Sequence, residues 1–403
     1  MKTKHPLLLN RLTLPAALLL VAGLTVGVHG QALVSGSDGS YGPLEITGNT
    51  TLAMPADGVF HCTTITINNG ATLRFIPNAR NTPVRLLATG DVLISGTIDV
   101  SGSNGATLLG GAGGPGGFAG GNPGRLNLPP GAGAGPGGGP TNVDVALRHG
   151  VFGNRRADAP PELAQPYGNA LLLPLIGGSG GGGSPTVAGG GGGGALLIAS
   201  STSIRVAATG RILATGGYNS GSALRSVGSG GAIRLVAPQV VGQREGGFGA
   251  VLSVASGAGA SDAYFGRIRI DSSDLRQASD ANFLFQPVAA VSIGSFMTLN
   301  PAPLPRLDLV RAAGQDIAAD SGPAFLELPF GSPATQEIEV QARDFRAVVP
   351  VRVRLVPEAG AATEYALALD NRSENPVRGT VAVHVPPNVR TAVEVWTAPV
   401  PAP

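Results

Sequence analysis

The chain has few of the residues from which catalytic and metal sites are commonly built. Its 403 residues include one cysteine and five histidines, and no lysine follows Lys4. A single cysteine excludes an intrachain disulfide. Beyond residue 32 only His61, His149 and His384 remain, and their wide spacing argues against a histidine-rich metal site. We therefore expect neither a cofactor nor a bound metal.

His61 and Cys62 are adjacent, as a catalytic base and nucleophile or a pair of metal ligands would be. Consecutive residues of a strand point to opposite faces, which argues against joint action. We interpret Cys62 instead as a small buried apolar residue.

The first 32 residues have the pattern of a secretory signal peptide. Lys2, Lys4 and Arg11 precede an apolar stretch from Leu18 to Val28, and small residues suited to cleavage follow at 30–32. This stretch is short for a membrane span, and no later one qualifies. We expect a bacterial chain that is secreted or displayed at the cell surface, with no transmembrane span after cleavage.

Without those 32 residues the chain is almost neutral. The 27 basic residues minus the three in the leader give 24, all arginine, against 25 aspartates and glutamates. This balance gives no electrostatic reason to expect nucleic acid or a membrane surface as a partner. The use of arginine alone fits a GC-rich genome better than selective recognition of acidic sugars.

Glycine is the residue that the sequence has in excess. Of 63 glycines, 32 lie within residues 102–194, and six consecutive ones at 189–194 run directly into the apolar segment 195–199. Glycine loses more freedom on ordering than any other residue. One glycine would serve a corner before a strand, so six need another reason. We predict that 102–194 is a long excursion, either disordered or packed as polyproline-II segments, with apolar anchors such as Leu108 and Phe118 favouring partial order.

The sequence on either side of this excursion contains an internal repeat. The aligned segments are 84–102, 195–217 and 232–257, with 266–271 as a truncated fourth copy. Apolar and polar residues alternate within their short strands, which glycine and other turn residues separate. Such stacked short strands predict a parallel β-helix, or β-solenoid, over residues 33–285.

Glycine becomes sparse beyond a proline-containing connector at residues 286–305. About seven alternating segments follow within 306–399, which predicts a small β-sandwich. The predicted fold class is therefore all-β, a β-solenoid with a long glycine-rich insertion followed by a sandwich domain.

Residues 84–102 and 195–271 resemble the coils of secreted bacterial right-handed parallel β-helix proteins, among them adhesins and autotransporter passenger regions. The C-terminal segment resembles immunoglobulin-like or fibronectin-III-like modules, although it lacks the paired cysteines of true immunoglobulin domains. The resemblance implies an adhesive or structural role at the cell surface.

Many parallel β-helix proteins are polysaccharide lyases or hydrolases, so an enzymatic role needs a test. Such sites require carboxylates that converge on one face. The candidate residues here are Asp91, Asp99, Asp262, Arg267, Arg269 and Asp271. The segment 267–269 resembles the Arg-Ile-Lys triplet of polygalacturonases, but the other motifs of that family are absent. The next repeat has Ser203 and Leu213 at the positions of Asp91 and Asp99, so the acids do not form a ladder.

We therefore predict a secreted non-enzymatic surface or matrix protein, structural or adhesive, with extracellular polysaccharide or other surface proteins as its partners. The alternative is a polysaccharide-active β-helix enzyme with an accessory sandwich. A surface-templating protein, such as an ice binder, would need a flat array of threonine or glycine, and these repeats are too irregular for one.

Overall fold

The structure is a computed structural model that describes nine stretches of the chain. They are residues 33–125, 127–141, 148–155, 164–219, 226–246, 248–257, 263–299, 305–318 and 324–397. The predicted signal peptide, Asp262 and part of the connector lie outside them. Leu33–Pro403 form one compact unit. The described residues are all-β, with helix limited to two single 3-10 turns, Leu275–Gln277 and Val288–Ala290.

The described residues between 33 and 299 form sixteen strands, the last of which lies inside the predicted connector. They are β1 (Gly42–Ile46), β2 (Thr50–Ala53), β3 (Val59–Ile67), β4 (Thr72–Ile76), β5 (Val84–Ala88), β6 (Val92–Ile94), β7 (Thr97–Asp99), β8 (Ala195–Ser200), β9 (Ser203–Val206), β10 (Arg211–Leu213), β11 (Ala232–Gly242), β12 (Arg244–Glu245), β13 (Phe248–Ser253), β14 (Arg267–Asp274), β15 (Phe283–Gln286) and β16 (Val291–Gly294). All of their pairings are parallel except the short β12–β13 pair.

Six strands close into a ring of parallel pairings, in the order β3, β5, β8, β11, β9 and β6. The ring closes because β3 and β11 are long, and each pairs with different strands along its two halves. Ala232 is the register partner of both Ala195 and Arg267, which confirms the alignment of these repeat starts. The parallel sheets extend past residue 285, since β16 pairs with β14.

The core of this part lies between two aligned columns of apolar side chains. One column follows β4, β7, β10 and β13 through Leu73, Ile98, Ile212 and Leu252. The other crosses β5, β8, β11 and β14 and includes Ile270. All belong to one buried cluster. Burying such a side chain contributes about 1.5–3 kcal/mol, so the alternating pattern itself stabilises the stack.

The run of six glycines lies at the centre of a bundle of extended chains. Every N–H of 189–194 donates to a carbonyl of another segment, over 2.7–3.0 Å, and every carbonyl accepts from one. Hydrogen bonds join this central chain to six neighbours, which are residues 100–103, 111–114, 118–121, 178–181, 214–217 and 226–229. We call these seven segments the glycine bundle.

The bonding in the bundle repeats every three residues. Gly189 and Gly192 donate to one neighbour, at Gly121 and Phe118, while Gly190 and Gly193 donate to another. Three residues per turn is the repeat of a polyproline-II helix, which has no internal hydrogen bonds and leaves every backbone group free for neighbours. Unpaired buried backbone groups are costly, and the bundle pairs them.

The glycines are needed because the chains approach one another closely. A Cβ on any residue of 189–194 would overlap backbone atoms of a neighbouring segment, as at Gly191 against the Ala112 carbonyl. A chain with six neighbours has no side on which a side chain fits. Close packing of backbones on all sides therefore accounts for the glycine run that precedes β8.

The described residues of the C-terminal part form two antiparallel sheets from seven strands. These are β17 (Arg306–Ala312), β18 (Gln315–Asp316), β19 (Thr335–Arg343), β20 (Val348–Pro357), β21 (Thr363–Asp370), β22 (Val377–His384) and β23 (Thr391–Thr397). The sheet orders are β18-β17-β19-β22 and β21-β20-β23. Val340 and Val353 represent the two inner faces, which share one apolar core. This agrees with the seven alternating segments of the sequence.

Candidate functional site

The predicted acidic residues of the first repeat each have a local partner. Asp91 precedes β6, and its carboxylate accepts hydrogen bonds from Thr202 at 2.6 Å and Ser203 at 2.8 Å. These hydrogen bonds, Thr202 first, lower the pKa of Asp91. Asp99 at the end of β7 pairs with Arg74 at 3.0 Å. Asp91 thus stabilises a turn and Asp99 forms a surface ion pair, and the two carboxylates lie on different elements.

Asp271 lies in a buried charge network on the outer side of β14. Its carboxylate contacts Arg269 at 2.6 Å and Arg234 at 3.3 Å, and it accepts the N–H of Phe296 at 2.9 Å. Asp271 is 0% exposed and Arg234 1% exposed. Arg234 also donates to the carbonyls of Phe296 and Thr298. Burial lowers the pKa of Arg234, and Asp271 opposes that shift. The network holds residues 296–298 against the sheet.

Arg234 was not among the residues that the sequence predicted. Its register partner on β14 is Arg269. An arginine at the same position of two successive repeats is a signal that could have revealed the pair. Ile268 and Ile270 face the core, as the alternation predicts, so Arg269 faces outward. Although Arg269 faces away from the core, only 8% of it is exposed, because residues 296–298 cover this face of the sheet.

Arg267 contacts residues of the glycine-rich excursion and none of the candidate aspartates that the structure describes. Its guanidinium donates to the Tyr167 carbonyl at 3.1 and 3.3 Å and lies 5.8 Å from the centre of the Phe152 ring. No hydrogen bond or ion pair joins Asp91, Asp99 and Asp271 to one another in the described chain. The described residues also contain no group of three histidine, cysteine or acidic side chains placed to hold a metal.

A second region draws together residues that the repeats do not include. Chain reversals of the excursion meet at one end of the glycine bundle, which we call the tip. Hydrogen bonds join them: Gly105 donates to Tyr218 at 2.8 Å, and Gly124 donates to Ser184 at 2.9 Å. The guanidinium of Arg125 also donates to the carbonyl of Leu108. Loops from separate parts of the chain thus form one continuous surface.

Four exposed apolar side chains lie at this tip. Leu108, Leu109 and Leu128 are 55%, 61% and 56% exposed, and Tyr218 is also exposed. A shallow groove of about 480 Å³ adjoins them, lined by Gly124, Arg125, Asn127, Leu128, Pro129, Pro130 and Pro185. Three prolines give this groove rigid apolar walls, and Asn127 and Arg125 supply its polar groups. A few polar groups among apolar walls is the composition typical of a binding surface.

In comparisons with known proteins, no family model, no curated protein and no solved structure matches the chain. Among the described residues no helix has the length and apolar character needed to cross a membrane.

Proposed function

We propose that the chain is an exported, non-enzymatic surface or matrix protein whose glycine-bundle tip binds an extracellular polysaccharide or another surface protein. The observation that carries the proposal is the assembly of apolar loops at the end of a rigid backbone lattice. Both the N–H and the carbonyl of every glycine in 189–194 are hydrogen-bonded. Such a lattice restricts the conformational freedom of the loops at its end. Preorganised loops lose less entropy on binding.

The parallel sheets act in this proposal as coils of a β-solenoid. Three sets of strands support it: β5, β8, β11 and β14 stack, β6, β9 and the second half of β11 stack, and β7, β10 and β13 stack, all in matched register. Stacked coils make a stiff support from which the bundle projects. Export is inferred from the leader-like first 32 residues.

A competing polysaccharide-active enzyme would need converging carboxylates. The described candidates Asp91, Asp99 and Asp271 have separate partners, and Asp271 is inaccessible beneath residues 296–298. This arrangement favours binding without cleavage.

The test uses residues 33–403, the compact unit, with a panel of plant, algal and bacterial polysaccharides and with bacterial surface fractions. Binding is followed by pull-down and polymer length by size-exclusion chromatography. The variant Leu108→Ser/Leu109→Ser/Leu128→Ser should weaken binding at least about tenfold, as loss of central apolar contacts does. Leu93→Ser is the matched control, since Leu93 is an exposed leucine on β6, away from the tip.

Two outcomes would contradict the proposal. Shortened polymer chains would favour the enzyme and direct attention to Asp91 and Asp99. Binding that Leu93→Ser reduces as much as the tip variant would place the binding surface on the parallel sheets instead.

A further inference from the structure

Two charged residues on the outer face of a C-terminal sheet are shielded from water, Arg354 fully and Glu394 in part. Arg354 on β20 and Glu394 on β23 are register partners. Their neighbours Val353, Leu355, Val393 and Val395 pack in the core between the two sheets. By the alternation of a strand, Arg354 and Glu394 point outward. Arg354 is nevertheless only 5% exposed, so another part of the chain covers it.

The covering segment is a tight turn of the glycine-rich excursion. Arg354 donates to the carbonyls of Gly135 and Gly138, the latter at 3.2 Å, and both carboxylate oxygens of Glu394 accept the Gly135 N–H at 3.0 Å. Gly138 in turn donates to Gly135 at 2.9 Å and closes the turn. The two side chains therefore satisfy both backbone groups of Gly135.

The charges within this contact are nearly isolated from water. Arg354 lies 4.0 Å from Glu394 and 4.0 Å from Glu364. Burial lowers the pKa of Arg354, and the Glu394 and Glu364 carboxylates oppose the shift. Burial raises the pKa of Glu394, which Arg354 and the Gly135 amide oppose. A buried charge pair is costly to break, because removal of one partner strands the other.

A second contact joins the same domain to the tip. Gly360 donates its N–H to the Pro130 carbonyl at 3.2 Å, and Gly131 and Gly360 form a parallel bridge. Pro129 and Pro130 line the tip groove. The C-terminal domain thus contacts one short segment at both ends, at 130–131 and at 135–138.

We propose that Arg354 and Glu394 are positioning residues that, through residues 129–138, fix the shape of the tip groove. The C-terminal domain is then part of the binding structure. The expected effect of Arg354 and Glu394 on ligand binding rests on the proposed function of the tip. Their effect on the conformation of residues 129–138 does not.

The first test is hydrogen exchange by mass spectrometry on residues 33–403. Glu394→Gln keeps the size of the side chain and removes its charge, and Arg354→Met/Glu394→Met removes both partners without stranding a charge. We expect the amides of 131–138 to exchange at least about tenfold faster in the double variant. The increase in Glu394→Gln should be smaller, because the amide side chain can still accept the Gly135 N–H and Arg354 can still donate to the turn. Glu364→Gln is the matched control, because Glu364 lies as near to Arg354 but has a half-exposed side chain.

Exchange in 131–138 that stays at the unsubstituted rate in the double variant would overturn the proposal. Should the double variant fail to fold, the unsubstituted chain supplies the test. Amides of 131–138 and core amides of β20 should open with the same denaturant dependence, as one cooperative unit. Opening of 131–138 at a clearly lower free energy would overturn the proposal.

Binding distinguishes this proposal from the function on which it rests. Faster exchange together with weaker binding supports both. If the variant exchanges faster but the unsubstituted chain binds none of the polysaccharides or surface fractions, the positioning role is supported and the proposed function is contradicted. Unchanged binding in a variant with faster exchange supports the binding function and overturns the control of the groove by Arg354 and Glu394.

Discussion

At the centre of the glycine bundle, the carbonyl oxygen of Ala112 occupies the space that a Cβ on Gly191 would need. Gly191 also donates to Ser103 at 3.0 Å and accepts from Gly217 at 2.7 Å. A methyl group there would have to separate chains that are held on several sides. The glycine bundle therefore requires residues without side chains, whereas the parallel sheets are stabilised by packed apolar side chains.

Gly191→Ala should therefore destabilise the protein by about 1–3 kcal/mol or more, the cost of overpacking a tightly packed interior. Urea unfolding followed by circular dichroism gives the free energy of unfolding. Gly48→Ala is the control, because a Cβ on Gly48 meets nothing within 4 Å. That control should change stability by no more than about 0.5 kcal/mol. Equal effects of the two substitutions would refute close packing as the reason for the glycine run.

The sequence predicted the parts of the fold that side-chain patterns encode. Alternation located the repeats, and the starts at Ala195, Ala232 and Arg267 are register partners. It also predicted about seven C-terminal strands, and the described residues form seven there. Polyproline-II packing of the excursion was one of two alternatives, but the sequence did not predict which segments pair. The bonds of the bundle join backbone groups of distant segments, such as Gly190 to Ser226, and glycine composition carries no register.

The candidate site was predictable only in part, for a related reason. Leu108 was expected to anchor the excursion, and this prediction was wrong, since it lies exposed at the tip. Asp271 was a candidate catalytic acid. Its burial depends on Phe296, which reaches it from a segment with no alternation to mark its position. Contacts made by irregular segments leave no periodic signal in the sequence.

The buried network at β14 predicts a large effect of a small change. Asp271→Asn should destabilise the protein by about 3–5 kcal/mol, since Arg234 and Arg269 would then share a buried site without a counter-charge. Denaturant unfolding measures the loss. Asp99→Asn is the control, because Arg74 is largely exposed and such surface pairs contribute about 0–1 kcal/mol. A loss below about 1 kcal/mol for Asp271→Asn would mean that the charges are not buried in solution.

Two aspartates, each paired with an arginine two residues later, predict part of the acid sensitivity. Hydrogen bonds from Arg276 lower the pKa of Asp274 to about 2, and those from Arg372 do the same for Asp370. A folded-state pKa below the ordinary value of 3.8 means that ionisation favours the folded state. This stabilisation is present above about pH 4 and is lost as the pH falls through about 2.

The variant Asp274→Asn/Asp370→Asn should therefore lose less stability between pH 4 and pH 2 than the unsubstituted chain. Urea midpoints at pH 2, 3, 4 and 7 measure the difference, which is small because both pairs are exposed. Asp316→Asn is the control, since Asp316 is exposed and lies 3.5 Å from Arg311, a longer contact. Identical acid dependence in the double variant and the unsubstituted chain would contradict the assignment.

Cys62 supplies a prediction that tests the interior of the parallel sheets directly. The side chain is 0% exposed within the apolar core, and burial raises the pKa of its thiol to about 11. At pH 8 roughly one thiol in a thousand is then ionised, against roughly a quarter for an unperturbed cysteine, and thiolate is the reactive form. Ellman's reagent should leave the folded protein unlabelled over hours at pH 8 and label one thiol per chain at once in 8 M urea.

His61, on the opposite face of β3, lies 3.7 Å from Asp38, which leaves it no part in activating the thiol. Rapid labelling of the folded chain, with His61→Ala slowing it, would restore the cysteine–histidine pair as a reactive site.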